Sequence, residues 1–151
     1  MNAAIAHSCV RDVVTVDRNA TVADAAALMR EHHVGAVVMV EDRGEARHPT
    51  GILTDRDIVV EVIAAGLDPA TVKVAEIVQR PLAVVGEDAD CSETARAMAI
   101  NGVRRLPVVD GNGSLTGLVA LDDLLLHLIG PLVAVADLAG RERRFEAKVR
   151  G

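Results

Sequence analysis

Apolar residues recur along the chain with two different periods, which predict helices and strands in a regular order. Within Thr21–His33, the apolar residues Val22, Ala25 and Met29 recur at helical spacing, and an acid lies in the first turn. Between such segments lie short runs rich in valine, leucine and isoleucine, which are typical of buried strands. The predicted order is strand, helix, strand, strand, helix, and it occurs twice. The predicted strands are Val13–Val16, Gly35–Val40, Thr50–Thr54, Leu82–Val85, Arg105–Asp110 and Leu115–Ala120.

The second half of this pattern repeats the first. Thr21–Glu41 aligns without a gap to Asp90–Asp110, which lies 69 positions further along the chain. After the next turn the offset falls to 66, so Gly51 aligns with Gly117. The three-residue difference lies in a turn between two strands, where surface loops tolerate insertions. Because one half of about 60 residues cannot bury a sheet face alone, we predict an α+β fold of two pseudo-symmetric repeats around a shared core.

The repeat also predicts how the chain is divided and how it ends. Gly130-Pro131 should break or kink the last helix. Apolar residues continue beyond this point at helical spacing, so the final helix is expected to cover the module or its twin in a dimer. A helix at a membrane surface is the alternative, because the chain turns basic from Arg141. The predicted divisions are repeat 1 (8–66), a connector (67–73), repeat 2 (74–130), and an amphipathic helix with a basic tail (131–151).

Composition narrows the classes of function. The chain has 151 residues, and 22 acidic against 16 basic residues give a net charge of −6. Acidic proteins with a single aromatic residue, here Phe145, lack both the charge and the stacking rings that nucleic-acid binding requires. No apolar run reaches the roughly 18 residues of a membrane span, and the N-terminus lacks a signal-peptide pattern. We therefore expect a soluble, cytoplasmic protein with neither nucleic acid nor membrane as a partner.

Few side chains have the spacing that catalysis or metal binding requires. Cys9 and Cys91 do not make a disulfide framework, although Cys91 lies at a predicted helix start, where the helix dipole can lower a thiol pKa. The five histidines have no acid or thiol at metal-ligand spacing, so we predict no metal site. The paired acids lie at helix starts without a nucleophile and base beside them. We therefore predict that the protein is not an enzyme and requires no cofactor.

Two stretches carry a resemblance to a known family. They are "HVGAVVMVE" followed by "GILTDRDI" in the first half, and "GVRRLPVVDGNGSLTGLVALDDLL" in the second. On these residues the chain resembles a tandem pair of CBS domains, also called a Bateman module, over roughly residues 8–130. The resemblance implies two repeats packed sheet to sheet, a homodimer, and adenosine-containing ligands in clefts between the repeats. Such ligands include AMP, ADP, ATP and S-adenosylmethionine.

The resemblance also implies which residues bind the ligand. The family's signature, Gly-x-x-Thr/Ser-x-x-Asp, is complete in the first copy, where Asp57 would receive the ribose hydroxyls beside Thr54. Its phosphate-binding basic pair matches Arg104 and Arg105. The second copy keeps its aspartate, Asp123, but has alanine in place of the threonine. Because the first copy has no basic pair, we expect one competent nucleotide site per chain rather than two.

Each of these motifs also has a purely structural interpretation. Thr54 and Asp57 have the spacing of a helix N-cap, and Arg104-Arg105 follow a predicted helix end, where positive charge is favourable. The leading hypothesis is a stand-alone regulatory module that senses an adenosine-containing ligand in the cleft between its repeats. The alternative is a constitutive dimerisation or scaffold module with no small-molecule ligand. Either module could act on a partner protein that the sequence does not identify.

Overall fold

The protein folds into two repeats, each with a three-stranded sheet. The computed structural model describes residues 4–149, without the side chains of residues 139, 140 and 142–149. In both sheets the first strand pairs in parallel with the second, and the second pairs in antiparallel with the third. Strands of the two sheets contact each other, so the predicted α+β fold of two repeats packed sheet to sheet is confirmed.

The predicted helices and strands occur in the predicted order in both repeats, and an additional short helix precedes the first strand of repeat 2. Those of repeat 1 are β1 (Thr15–Asp17), α1 (Val22–His32), β2 (Ala36–Arg43), β3 (Ala46–Thr54) and α2 (Asp55–Asp57), which continues as a π-helical segment (Ile58–Ile63). Those of repeat 2 are α3 (Val74–Ile77), β4 (Val85–Gly86), α4 (Cys91–Asn101), β5 (Arg105–Val109), β6 (Leu115–Ala120) and α5 (Leu121–Val149). The third strand of the second repeat has the predicted bounds.

Local hydrogen bonds explain where the helices begin. The Thr21 hydroxyl accepts the Asp24 N–H at 3.1 Å, and the Asp24 carboxylate accepts the Thr21 N–H at 2.9 Å. Asp90 and Glu93 form the same reciprocal capping box before α4, as the sequence predicted. Both helices end at a residue in the left-handed conformation, which in repeat 2 is Gly102 with φ of 63°.

The hairpin of repeat 1 is longer than predicted. The sequence placed its extra residues in a turn, but β2 runs to Arg43 and β3 begins at Ala46. Gly44 and Glu45 alone connect the two strands. Gly44 has φ of 72°, which suits the first central position of a two-residue hairpin turn. The additional residues therefore extend the ladder, whose backbone groups bond to each other, instead of forming a loop.

The buried residues form two clusters, one for each repeat, so the prediction of a single shared core is wrong. The cluster of repeat 1 consists of Val16, Val22, Ala25, Met29, Val37, Met39, Leu53, Ile58, Val62 and Val74. The cluster of repeat 2 consists of Ile5, Val85, Cys91, Met98, Leu106, Val108, Val119 and Leu124. In each cluster, one residue is distant in sequence from the other members. This residue is Val74 in the cluster of repeat 1 and Ile5 in the cluster of repeat 2.

These two residues belong to segments that the repeats exchange. Ile5 is 1% exposed, donates its N–H to the Ala89 carbonyl at 2.8 Å, and begins a short helical turn that packs on repeat 2. Val74 is fully buried in repeat 1 and donates its N–H to the Ala20 carbonyl at 2.9 Å. Ile5 and Val74 are 69 positions apart, the offset of the repeat itself. Each repeat is therefore completed by a segment that lies next to the other repeat in sequence.

The last helix does not end at Gly130-Pro131, so the expected break is wrong. α5 is continuous from Leu121 to Val149 with Pro131 inside it. Proline has no N–H, so the helix lacks one backbone hydrogen bond at this position, yet the turns on both sides continue it. Described side chains from residue 131 to 138 are all exposed. No described helix is long and apolar enough to cross a bilayer.

Candidate functional site

Thr54 and Asp57 close the first turn of α2 with three hydrogen bonds. The Asp57 N–H donates to the Thr54 hydroxyl oxygen at 3.1 Å. In return, Asp57 Oδ2 accepts from the Thr54 N–H at 2.9 Å and from the Thr54 hydroxyl at 2.7 Å. The structural interpretation of this motif as a capping box is thus confirmed. Asp57 Oδ1 has no hydrogen-bond partner within residues 4–149 apart from the side chains left undescribed.

Asp123 occupies the corresponding place in repeat 2 with fewer bonds. Its Oδ2 accepts the Ala120 N–H at 2.8 Å, which matches the bond from the Thr54 N–H to Asp57. Alanine has no hydroxyl, so the two further bonds of repeat 1 are absent. Both aspartates are half-buried. The backbone therefore places the two carboxylates alike, and the hydroxyl is the difference between them.

The glycine of each motif is required because the exchanged segment presses against it. A β-carbon added to Gly51 would overlap Val78 Cγ1, and one added to Gly117 would lie 2.6 Å from Cys9 Sγ. Val78 and Cys9 follow α3 and the N-terminal helical turn, and they are themselves 69 positions apart. Each exchanged segment therefore packs against a glycine of the third strand. This glycine lies three residues before the position that caps the helical turn carrying the aspartate.

Arg105 reaches from repeat 2 to the start of α2 in repeat 1. A β-carbon added to Gly35 would lie 3.6 Å from Arg105 Nη2 and 3.2 Å from Asp55 Oδ2. The guanidinium group and the Asp55 carboxylate thus flank one backbone position of repeat 1. The Asp55 N–H donates to the Gly35 carbonyl at 3.0 Å, which holds Gly35 at the first turn of α2. Repeat 2 has the same bond, from Leu121 to the Arg104 carbonyl at 2.8 Å.

Three of the five predicted site residues, Thr54, Asp57 and Arg105, lie at the first turn of α2, whereas Asp123 lies elsewhere. Thr54 and Asp57 contact each other, and Arg105 approaches the helical turn they close, beside Asp55. Arg104, which precedes Arg105 in the chain, is exposed. Neither arginine forms a side-chain hydrogen bond or ion pair with any side chain or backbone group that the structure describes. The sequence did not identify Gly35 or Asp55, although Gly35 aligns with Arg104 across the repeat.

Asp123 lies in a separate cavity. This cavity has a volume of about 210 Å³ and is lined by Ser8, Asp123, Leu126 and His127. The Ser8 hydroxyl and His127 Nδ1 form a hydrogen bond of 3.3 Å that joins the exchanged N-terminal segment to α5. His127 follows Asp123 by four residues, and this spacing in the sequence indicates that both side chains lie on one face of the helix. The second carboxylate therefore has a histidine near it and no arginine among its cavity-lining residues.

Both thiols have raised pKa values, and a second cavity has an acidic lining. Burial raises the pKa of the Cys91 thiol and nearby Asp90 raises it further, so the pKa lowering considered for this helix start is wrong. Burial also raises the pKa of Cys9. This second cavity of about 270 Å³ includes Glu87, Asp88 and Asp110 in its lining, a negative surface that repels phosphate. No group of three metal-binding side chains occurs among the described residues.

Comparison with known proteins agrees with this architecture. The sequence pattern of the CBS domain matches the chain twice, at residues 5–64 and 74–130. Uncharacterized protein MK0525 of Methanopyrus kandleri is 41% identical over 115 residues, which cover 76% of this chain and 57% of that protein. The chain thus spans just over half the length of this relative.

Two solved structures show the same fold. The hexameric CBS-CP12 protein from bloom-forming cyanobacteria has a TM-score of 0.72 and 34% sequence identity, over 82% of this chain and 69% of that one. The CBS domain protein PAE2072 from Pyrobaculum aerophilum, complexed with AMP, has a TM-score of 0.73 over 84% of this chain and 98% of that one. Its identity is 22%, so this likeness concerns the fold alone. Because the CBS-domain pattern matches the chain at residues 5–64 and again at 74–130, this chain belongs to the CBS-domain family and contains a tandem pair of CBS domains.

Proposed function

We propose that the module binds one adenosine-containing ligand between its repeats and acts as a non-catalytic sensor. The observation that carries this proposal is the position of Arg105, a residue of repeat 2 whose guanidinium group lies over Gly35 beside the first turn of α2. The ligand would span from Asp57 of repeat 1 to the arginines of repeat 2. A ligand of this length, with a sugar diol at one end and phosphate at the other, fits an adenine nucleotide.

The free oxygen of Asp57 supports the ribose end of the proposal. Oδ2 is occupied by Thr54, but Oδ1 retains its lone pairs, and one carboxylate oxygen can accept two hydrogen bonds from a vicinal diol. Thr54 has donated its hydroxyl hydrogen to Asp57. Its role in the proposed site is thus to orient the carboxylate, since it has no hydrogen left to donate to a ligand.

The arginines support the phosphate end. Arg104 and Arg105 have no partner among the described groups, and guanidinium groups bind phosphate oxygens through paired N–H donors. Gly35 has no side chain, which leaves the space beside Arg105 open. Asp55 and Asp57 offset the two positive charges, so the proposed site favours a monophosphate over the more highly charged triphosphate. The AMP complex of PAE2072 supports this choice by analogy of fold.

One site per chain is favoured over two. Repeat 2 has Ala120 where repeat 1 has Thr54, and the residues of repeat 1 that align with the arginine pair are Gly35 and Ala36. The Asp123 carboxylate has lost the hydroxyl that orients Asp57. A phosphate at this second position would lack both arginines, so Asp123 is the weaker candidate and serves as a matched control.

Ligand binding would act by joining the two repeats. A ligand held by Asp57 on one side and Arg105 on the other favours the arrangement in which these groups are close, in proportion to its difference in affinity between arrangements. Such a change would be read by a partner protein or a second copy of the chain. The regulatory role proposed here therefore requires no catalytic group.

Exposed apolar triplets support a homodimer as the working form. Val59, Val60 and Ile63 on the π-helical segment are 45–58% exposed. Their counterparts 66 positions later are Leu125, Leu126 and Ile129 on α5, which are 47–71% exposed. Equivalent apolar surfaces on both repeats suit a second copy, because a two-fold axis pairs identical patches.

Calorimetric titration with AMP, ATP and adenosine tests the ligand site. Asp57→Asn should weaken AMP binding about 10- to 100-fold, because a lost hydrogen bond to a charged group costs about 1.5–3 kcal/mol. The matched variant Asp123→Asn should leave it unchanged. Arg105→Ala should weaken AMP more than adenosine. Equal effects of the two aspartate variants, or no saturable heat with any of the three compounds, would contradict the proposed site.

A further inference from the structure

The extension of α5 beyond repeat 2 presents apolar side chains that no described part of its own chain covers. Leu132 is 67% exposed, and Val133, Val135 and Leu138 are 60–63% exposed. Asp137 is the sole charged residue from 130 to 138. A helix that leaves its domain gains little from propensity alone, since isolated helices of this length are marginal in water. The extension therefore needs a partner that covers its apolar side.

The helical segments that carry the exposed apolar residues differ in length between the two repeats. Val59, Val60 and Ile63 have apolar counterparts on α5, but the helical segment that carries them ends at Ile63. α5 continues for a further 20 residues past Ile129. A partner's π-helical segment is too short to reach Leu132. Among the described elements of a second copy, α5 has the length and the apolar side chains to cover Leu132.

We propose that α5 pairs in antiparallel fashion with α5 of a second copy, so that the dimer joins repeat 2 to repeat 2. This inference rests on the homodimer of the proposed function and adds its orientation. The pairing surface consists of Leu125, Ile129, Leu132 and Ala136, which follow one another at helical spacings of four, three and four. The centre of this stripe falls between Gly130 and Pro131, which would lie near the two-fold axis.

Charge favours the antiparallel direction. The first turn of α5 is acidic, with Asp122 and Asp123, and the sequence from 141 to 150 contains five basic and two acidic residues. Arg141 itself is exposed and pairs within the helix to Asp137 at 3.1 Å, a contact that exposed ion pairs easily exchange. An antiparallel pair brings the acidic start of each helix toward the basic end of the other, whereas a parallel pair brings like charges and like dipole ends together.

Light scattering on the full chain separates this inference from the homodimer itself. The wild type should be a dimer, and Leu132→Asp should weaken dimerisation at least tenfold, because the substitution buries a carboxylate at the pairing stripe. Leu67→Asp, at an exposed leucine of the connector, is the matched control and should leave the mass unchanged. A wild-type dimer that persists in Leu132→Asp but dissociates in Ile63→Asp would keep the homodimer and overturn the α5 pairing. A monomeric wild type overturns both.

Disulfide trapping tests the direction of the pair. In a background with Cys9→Ser and Cys91→Ser, Leu132→Cys should cross-link to itself because it lies near the proposed axis. Leu125→Cys should not cross-link alone, since its copies are about 16 Å apart along the helices, but should link to Ala136→Cys when the two variants are mixed. Self-linking of Leu125→Cys overturns the antiparallel direction. Binding of monomeric wild type to vesicles of phosphatidylglycerol would instead assign the apolar stripe to a membrane surface.

Discussion

At the end of its third strand, repeat 1 closes the next helical turn with three hydrogen bonds between Thr54 and Asp57, whereas repeat 2 uses one, from Ala120 to Asp123. The carboxylates are placed alike because the strand-to-helix turn places them. An aspartate at this position therefore has a structural role in both repeats. What distinguishes the proposed site is what surrounds the aspartate: a hydroxyl on its own strand and an arginine from the opposite repeat.

The largest expected effect concerns the exchanged segments. Ile5→Ala should destabilise the protein by about 2–5 kcal/mol, because Ile5 is almost fully buried and its loss leaves a cavity. Hydrogen exchange should become faster in β5 and β6, although Ile5 precedes repeat 1 in sequence. Val74→Ala is the counterpart and should affect β1 and β2. Faster exchange confined to β1–β3 in the Ile5 variant would contradict the exchange of segments.

The glycines should respond in the next order of size. Gly51→Ala is expected to cost about 1–3 kcal/mol in urea unfolding, because the new methyl group overlaps Val78, whose branched side chain has few alternative rotamers. Gly117→Ala should cost less, since the Cys9 side chain that it meets is unbranched. Val78→Ala in the Gly51 variant should restore part of the loss. Equal costs for both glycine variants would remove the proposed difference between the two contacts.

A reciprocal exchange tests the capping boxes. Thr54→Ala should destabilise the protein by about 1 kcal/mol, the usual cost of losing a threonine cap. Ala120→Thr should stabilise it by a smaller amount, because Asp123 already accepts one of the bonds of a complete box. Thermal unfolding measures both. If Ala120→Thr left the unfolding temperature unchanged or lowered it, the two turns would differ by more than the hydroxyl.

The smallest effect distinguishes the two hairpins. In repeat 2, Asp110 accepts the N–H groups of Asn112 and Ser114 at 2.9 Å each, and these bonds lower its carboxyl pKa. A carboxyl with a lowered pKa in the folded state contributes stability above its ordinary pKa, and that stability is lost as the pH falls through the lowered value. Asp110→Asn should thus be less stable than wild type at pH 7, and the difference should shrink below pH 3.8. Repeat 1 has no such aspartate in its Gly44-Glu45 turn.

The sequence predicted the features that depend on neighbours along the chain. Helix starts at Thr21 and Asp90 were predictable because a capping box involves residues three apart, and Thr54 with Asp57 follows the same rule. Longer-range features were not predictable in this way. Arg105 comes to Gly35 only through the packing of two repeats, and nothing in the residues around either one indicates it.

Two errors have different physical causes. The shared core was expected because neither repeat was considered able to bury its sheet alone, but the exchanged segments supply the missing cover through Ile5 and Val74. The 69-residue offset between them was present in the sequence and extends the alignment toward the N-terminus. The break expected at Gly130-Pro131 does not occur, because proline removes only one backbone hydrogen bond from a helix that continues on both sides.

Because Ile5 belongs to its core, repeat 2 is discontinuous in sequence, whereas the core of repeat 1 runs without interruption from Val16 to Val74. A fragment cut at the connector would leave Ile5 without its cluster and would strip repeat 1 of Val74. Repeat 2 becomes one unbroken stretch only if the polypeptide is circularly permuted, with the N-terminal turn joined after repeat 2. Neither half of a chain cut at the connector therefore contains every residue of its own core, so the module requires both halves.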